Sequence, residues 1–277
     1  MRSKVCRLCP WKSARSTSGF TITELLVVIA VIAVVLSIIL PALASVRASA
    51  GRAKSLANIR TIVQSFHDYA AMFETYPFGN RGWVGPNLNP PTNLGTADGY
   101  RLASAYSGMG IHWPILMHSV ADWTTHSEAW LSPGRNESTS LGENPLLGVG
   151  DGPTRLPFAW SDYHYSHCFM GPPRAWDPDR TSAGGLAPRP TRPGQVRFPS
   201  KKVIIHDYSR LYLNKDPGPD TPRPVGFTDG SAKTVLDRDV ARPVKSVLSQ
   251  FVPNDADFRT PPMVYHDTPM GVEGADF

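Results

Sequence analysis

The chain has 277 residues, of which 41% are hydrophobic, with 28 Lys and Arg against 23 Asp and Glu. The formal net charge of +5 arises in residues 1–19, which hold no acidic side chain and these basic ones: Arg2, Lys4, Arg7, Lys12 and Arg15. Beyond them basic and acidic side chains are equal in number, which argues against nucleic acid as a partner. The basic segment favours a cytoplasmic N-terminus, although further basic residues after position 46 weaken this argument.

Residues 20–40 form an apolar run with a single charge, Glu24. At about 1.5 Å per residue, a helix over this run is about 31 Å long, which matches the hydrocarbon core of a bilayer. We therefore predict a transmembrane helix over residues 20–41. Ionisable groups inside such helices are costly and usually mark function, so Glu24 is a candidate functional residue.

The apolar pattern changes after Pro41 to spacings of three and four, which are typical of one face of a helix. Its members are Leu56, Ile59, Val63, Phe66, Ala70 and Phe73. The sequence thus predicts one helix over about 21–72, with its first half in lipid and its second half packed on a soluble domain. A short coiled coil is an alternative interpretation of the stripe. Pro41 is expected to kink the helix, and Gly51 is a second weak point.

Strand-like segments follow the helix. Residues 159–170 are rich in aromatic side chains, and residues 202–208 have a buried Val-Ile-Ile centre. Residues 225–228 and 232–236 flank Asp229-Gly230, a pair that predicts a hairpin with a type I′ turn. A long helix laid on mainly antiparallel strands is an α+β architecture, which is the fold class we predict.

Proline and glycine cluster between these elements and predict long surface loops. The clusters lie at 77–99, 132–157, 171–194 and 214–226. The predicted organisation is a basic leader at 1–19, a transmembrane helix at 20–41, a soluble half of the same helix at 42–76 and a globular domain at 77–277. Cys6 and Cys9 lie in the leader, so Cys168 is the single cysteine beyond it and is expected to be a buried thiol.

The segment around the apolar run resembles the start of a known protein family, and the resemblance rests on Gly19, Phe20, Glu24 and Pro41. In this order they match the start of type IV pilins and type II secretion pseudopilins, with Glu24 fifth and Pro41 twenty-second after the glycine. The resemblance implies that prepilin peptidase cuts after Gly19 and that the new N-terminal Phe20 is methylated. It also implies that Glu24 faces the N-terminal amine of a neighbouring subunit in a filament. The alternative is a plain signal anchor with an incidental glutamate near the helix start, where the macrodipole tolerates it.

The resemblance implies a structural subunit that is not an enzyme. Its partners would be prepilin peptidase, other pilin or pseudopilin subunits and the inner membrane, with the C-terminal domain extracytoplasmic. The filament would be a pilus or a type II secretion pseudopilus. The alternative is a membrane-anchored extracytoplasmic domain that binds or hydrolyses a ligand and uses the signal only for insertion.

A second resemblance concerns the region around Asp229-Gly230. A larger bacterial pilin-like family shares this N-terminus and has a C-terminal pattern of His, nine residues and Asp-Gly. Residues 227–231 match the Asp-Gly part, but the position of the histidine is Pro219. The full motif is therefore absent, and a tight hairpin favours Asp-Gly by itself.

Histidine and cysteine side chains are the candidate metal ligands. His164, His167 and Cys168 are close in sequence, while His206 and His266 lie further along the chain. If 159–170 is one strand, His164 and Cys168 point to one face and His167 to the other. The cluster then does not converge on one ion, so we predict no metal site.

Acidic loop residues are the candidate calcium ligands. Two pairs could supply oxygen atoms: Asp216 with Asp220, and Asp255 with Asp257. Their spacing lacks an EF-hand pattern, so solvated loop acids are the favoured interpretation. The sequence contains no GxSxG, HExxH or GxxxxGK[ST] pattern, and we predict no catalytic residue and no cofactor.

Overall fold

The long N-terminal helix is the first element of the fold. The computed structural model describes residues 20–78, 96–97, 100–101, 110, 113–114, 117, 120, 127–135, 161–213, 217–248 and 263–277. Helix α1 spans Ile22–Phe73 and confirms the helix predicted for 21–72. It ends where Glu74 adopts a positive φ of 59°, a conformation that cannot continue a right-handed helix. The chain divides into two compact units between Val46 and Arg47.

The two residues predicted to weaken α1 both lie inside it. Pro41 has no N–H to donate to the carbonyl of Ser37, four residues earlier; the kink that we expect there remains a prediction. Gly51 is explained by packing, because a Cβ atom at this position would lie 2.3 Å from Cβ of Tyr212. The glycine therefore permits a close approach of Tyr212 to the helix backbone.

The strands form two antiparallel sheets among the described residues. The smaller sheet pairs β1 (Thr96–Ala97) with β2 (Tyr100–Arg101). The larger sheet has the order β3-β4-β5-β6. Its strands are β3 (Tyr163–Tyr165), β4 (Val203–Asp207), β5 (Arg223–Phe227) and β6 (Ala232–Val235). The helix and this antiparallel sheet confirm the predicted α+β class.

Strand β3 is much shorter than the predicted strand over 159–170. The chain leaves the sheet at Ser166, and residues His167–Met170 form a 3₁₀ helix. The Ser166 hydroxyl donates a hydrogen bond to the carbonyl of Tyr265, so this bend is held by the C-terminal segment. Because the strand ends at Tyr165, the alternation of faces that the sequence predicted for His164, His167 and Cys168 does not apply.

Strand β5 begins at Arg223, inside the loop predicted for 214–226. Pro224 is tolerated because pairing with β4 stops at Val225, so Pro224 faces only β6. Residues 171–194, another predicted loop, are irregular apart from short 3₁₀ turns at Pro173–Trp176 and Pro193–Gln195, the second of which extends one residue beyond the loop. Most of 77–99 and 132–157 lies outside the described residues.

The β5–β6 turn differs from the predicted type I′ turn. The Gly230 N–H donates to the carbonyl of Phe227 at 3.1 Å, and Gly230 has a φ of 89°, whereas Asp229 does not have a positive φ. A type I′ turn requires positive φ at both central residues. The Asp229 carboxylate instead accepts hydrogen bonds from the N–H and hydroxyl of Ser231, which stabilises a longer turn with a glycine bulge.

The second half of α1 packs on one face of the larger sheet. Its buried apolar side chains are Ile59, Ile62, Val63, Phe66 and Ala70. A Cβ atom at Gly226 in β5 would lie 2.3 Å from Val63 Cγ2 and 2.8 Å from Ile59 Cγ2, so the helix rests directly on this glycine. The predicted stripe is wrong at its ends, since Leu56 is only half-buried and Phe73 is 43% exposed.

Two buried polar contacts also join α1 to the sheet. The Ser55 hydroxyl donates to Asp207 at 2.6 Å, and the Asn58 amide donates to the Tyr163 hydroxyl at 3.1 Å. Burial raises the pKa of the Asp207 carboxyl, while the bonds from Ser55 and from the Arg210 N–H oppose this shift. These contacts fix the helix at one position along the sheet, since a displacement would leave buried polar groups unpaired.

The C-terminal segment, residues 263–277, packs near the first residues of β4. Tyr265 lies in a second apolar cluster with Val203, Val225 and Phe227. Asp276 forms a buried ion pair with Lys202 at 3.4 Å and accepts a hydrogen bond from the Val203 N–H at 2.7 Å. The segment is therefore an integral part of the domain core.

Phe66→Ala tests the helix–sheet packing. The Phe66 side chain is fully buried, with ring centroids 5.2 Å from Trp113 and 4.9 Å from Tyr165. In a fragment of residues 47–277, we expect the substitution to lower the free energy of unfolding by about 3–5 kcal/mol, because it leaves a cavity. Urea unfolding followed by far-UV circular dichroism measures this loss.

Phe73→Ala is the matched control, because it removes the same side chain from an exposed position on the same helix. We expect it to change the free energy of unfolding by less than about 0.5 kcal/mol. Equal losses in the two variants would contradict this packing.

Candidate functional site

Two reciprocal hydrogen bonds cap the N-terminal end of α1. The Glu24 N–H donates to the Thr21 hydroxyl at 3.2 Å, and the Thr21 N–H donates to Glu24 Oε2 at 2.9 Å. The Thr21 hydroxyl also donates to Oε2 at 2.7 Å. This is a capping box, in which the first and fourth residues of a Thr-x-x-Glu pattern satisfy each other's backbone N–H groups. Glu24 therefore has a structural role within its own chain.

The first half of α1 presents apolar side chains to its surroundings. All large apolar side chains from Phe20 to Leu40 are exposed in the isolated chain. Within the described residues, α1 is the one helix that is long and apolar enough to cross a membrane. Such a surface is unfavourable in water and requires lipid or neighbouring helices around it.

The sequence of this segment matches a known family model. Residues 14–40 match the model described as the prokaryotic N-terminal methylation motif. The segment is a prepilin-type signal. It is the signal of type IV pilins and pseudopilins, so the resemblance seen in the residues is confirmed for this part of the chain. Comparisons with curated proteins and with solved structures find no match.

The prepilin-type signal contains or adjoins each of the predicted site residues. Gly19 lies outside the described residues. Phe20 is 74% exposed just before α1, Glu24 lies in its first turn, and Pro41 lies in its interior. Cleavage, methylation, assembly and kinking at these positions remain predictions. The capping role of Glu24 was missed, although Thr21-x-x-Glu24 is a recognisable capping pattern.

A group of histidines converges within the second unit. His164 in β3 lies directly opposite His206 in β4, and His266 arrives from the C-terminal segment. Each of the three offers one nitrogen atom, and these atoms lie within 4.8 Å of one another. The His167 ring is 4.3 Å from that of His266. The sequence predicted divergence only for His164, His167 and Cys168, on the basis of a strand over 159–170, and it gave no sign that His206 and His266 would meet His164.

Burial keeps the two inner histidines neutral. It lowers the pKa of His206 and of His266 well below the usual range, and nearby charges, including Arg223 and the neighbouring histidines, add to this shift. The His206 ring lies 5.0 Å from that of Tyr265, and the His266 carbonyl accepts a hydrogen bond from the Cys168 thiol at 3.1 Å. Neutral imidazole retains a nitrogen lone pair that can bind a proton or a metal.

The remaining candidate ligands do not join this group. Cys168 is a buried free thiol, as predicted. Asp220 pairs on the surface with Arg238 at 2.7 Å. Asp216, Asp255 and Asp257 lie outside the described residues, so the interpretation of these residues as solvated loop acids stays a prediction.

Proposed function

We propose that the chain is the precursor of a pilin-like or pseudopilin-like structural subunit. The observation that supports this most strongly is the prepilin-type signal at residues 14–40. In this proposal residues 1–19 are a leader, prepilin peptidase cuts between Gly19 and Phe20, and the new N-terminus is methylated. The mature chain is held in the inner membrane by residues 20–41.

The proposed orientation has a cytoplasmic N-terminus and an extracytoplasmic C-terminal domain. The basic side chains of residues 1–19 support this, because positive charge is retained on the cytoplasmic side. Residues 42–76 then carry the helix out of the membrane and into the globular part, residues 77–277. The burial of Ile59, Val63 and Phe66 supports the packing of this second half on its own sheet.

Assembly in this proposal uses the exposed first half of α1. Apolar helices of neighbouring subunits replace lipid around it, and Glu24 pairs with the N-terminal ammonium of a neighbour. Both bonds from Thr21 end on Oε2 of Glu24, so the pairing is proposed to use Oε1. A paired carboxylate and ammonium are far less costly in an apolar environment than either charge alone.

The mature N-terminus is the first test. We expect the membrane-bound protein to begin at an N-methylated Phe20, because the signal places the cleavage site there. Intact mass and N-terminal sequencing of the purified chain measure it. A mature N-terminus elsewhere, or an intact leader, would remove the main support for the proposal.

Shearing of cells tests the second step. We expect the protein to sediment with sheared filaments. A correctly processed chain that stays in the membrane as a monomer would instead support the alternative of an anchored domain that uses the signal only for insertion.

A further inference from the structure

We propose that His164, His206 and His266 form a binding site for one divalent transition-metal ion, with Zn²⁺ as the representative ion. The three nitrogen atoms lie within 4.8 Å of one another on two paired strands and the C-terminal segment. Three imidazole ligands leave a fourth position for water or another small ligand. This site is independent of the proposed assembly, which uses the first half of α1.

Two nitrogen atoms in the cluster have unmet bonding capacity. Nδ1 of His206 and Nε2 of His266 are buried and have no hydrogen-bond partner among the described residues. Both side chains are almost fully buried, with 2% and 1% of their surface exposed. Buried polar atoms are nearly always paired in native proteins, and those that are not often indicate an ion or water. A metal bound through these two atoms would satisfy them.

The present geometry is close to that of a coordinated ion. Zinc–nitrogen bonds of about 2.0–2.1 Å place tetrahedral ligand atoms about 3.3 Å apart. Small rotations of the three rings would close the present separation of up to 4.8 Å. The His164 ring stacks on Tyr208 at 3.9 Å, and the β3–β4 register holds it opposite His206.

His266 requires one further adjustment. Its Nδ1 atom accepts a hydrogen bond of 3.3 Å from the His167 N–H, so in the neutral ring the proton is on Nε2. Coordination through Nε2 moves that proton to Nδ1 and breaks this long contact. The metal–nitrogen bond forms at Nε2, and the proton now on Nδ1 requires the His266 ring to turn slightly away from the His167 N–H.

The composition of the cluster selects the kind of metal. Imidazole nitrogen suits zinc, copper, nickel and iron, whereas calcium and magnesium require oxygen ligands. No carboxylate belongs to the group of converging ligand atoms that the described residues provide. Arg210 and Arg223 lie nearby, and both contact the Asp237 carboxylate, at 3.6 and 2.6 Å, which offsets part of their charge. We therefore expect zinc to bind and calcium not to bind.

Metal binding would also join distant parts of the chain. The ligands come from β3, β4 and residues 263–277, and a metal that binds only the folded state raises its stability. At a zinc concentration about 100 times the Kd, we expect the unfolding midpoint of the chain to rise by about 5–10 °C.

The experiment uses the full chain purified in detergent, with Cys6→Ser and Cys9→Ser in every sample. This removes the CxxC pair of the leader, so the result does not depend on whether processing occurs. After treatment with EDTA, equilibrium dialysis against ZnCl₂ gives stoichiometry and affinity. Thermal unfolding with Zn²⁺ or Ca²⁺ and the visible spectrum with Co²⁺ are measured in parallel.

His164→Ala is the test variant, because His164 is half-buried and its removal disturbs the core least. His67→Ala is the matched control, since His67 is also half-buried but lies on α1 outside the cluster. We expect one tightly bound zinc per chain, at least about tenfold weaker binding in His164→Ala, and wild-type binding in His67→Ala.

Three results would contradict the proposed metal site. The first is that His164→Ala binds zinc as tightly as the wild type does, and the second is that calcium raises the unfolding midpoint as much as zinc does. The third is that the protein with Co²⁺ shows no tetrahedral spectrum. The last measurement uses the wild-type histidines and so does not depend on whether a variant folds. Correct processing at Phe20 together with any of these results would leave the proposed function intact.

Discussion

Gly19→Val is expected to leave the chain uncleaved, with residues 1–19 still attached. The resemblance to prepilins implies that the peptidase reaches the bond after Gly19 at the membrane face, where a residue without a side chain is required. Intact mass and N-terminal sequencing of the membrane fraction measure the result. Because the basic leader and the apolar helix are unchanged, insertion into the membrane is expected to persist.

Ser18→Val is the matched control for this prediction. It introduces the same side chain one residue earlier and leaves Gly19 in place. We expect normal cleavage and a mature N-terminus at Phe20. Loss of cleavage in both variants would show a general effect of the added bulk, and cleavage of Gly19→Val at Phe20 would contradict the role of Gly19.

Glu24→Ala is expected to abolish most incorporation into filaments while insertion and cleavage continue. The substitution removes the proposed partner of the neighbouring subunit's ammonium in an apolar environment, where breaking such a pair costs about 3–5 kcal/mol. Co-expression of tagged wild-type and variant subunits, followed by quantification of each tag in sheared filaments, measures the effect. Equal incorporation would reject the assembly role of Glu24.

The capping box makes a single substitution at Glu24 ambiguous. Glu24→Ala removes both a charge and a bond to the Thr21 N–H, and loss of a helix cap costs about 0.5–2 kcal/mol by itself. Glu24→Gln separates these effects, because glutamine can keep the capping bond but carries no charge. If the charge drives assembly, we expect Glu24→Gln to fail like Glu24→Ala.

Thr21→Ala is the reciprocal control. It removes the hydroxyl that accepts from the Glu24 N–H and keeps the carboxylate. We expect incorporation close to that of the wild type. If Thr21→Ala fails while Glu24→Gln assembles normally, then Glu24 acts through the helix start and not through its charge.

The local pattern of the sequence was enough to predict the main elements. The extent of α1 follows from an apolar run and a three-and-four spacing, both of which depend only on neighbours along the chain. The prepilin-type signal is likewise a contiguous segment, and its match at residues 14–40 confirms the resemblance. The Val-Ile-Ile centre of β4 was equally clear, because a short apolar run suits a buried strand.

Predictions failed where a distant contact decides the structure. Phe73 fits the apolar spacing but is 43% exposed, because burial depends on packing against distant segments, which the spacing does not show. The predicted strand over 159–170 stops at Tyr165, because Ser166 bonds to the C-terminal segment. Gly226 offered no sequence signal for its role, since the need for a glycine arises from Ile59 and Val63 on the helix that crosses it.

The sequence by itself determined the long apolar helix, the prepilin-type signal and the α+β class, because each depends on residues that are close together along the chain. The tertiary structure alone decided which histidines meet. His164 and His206 are brought together by the antiparallel register of β3 and β4, and His266 by the docking of residues 263–277. Such proximity depends on strand pairing and core packing between distant segments, and no spacing along one segment encodes it.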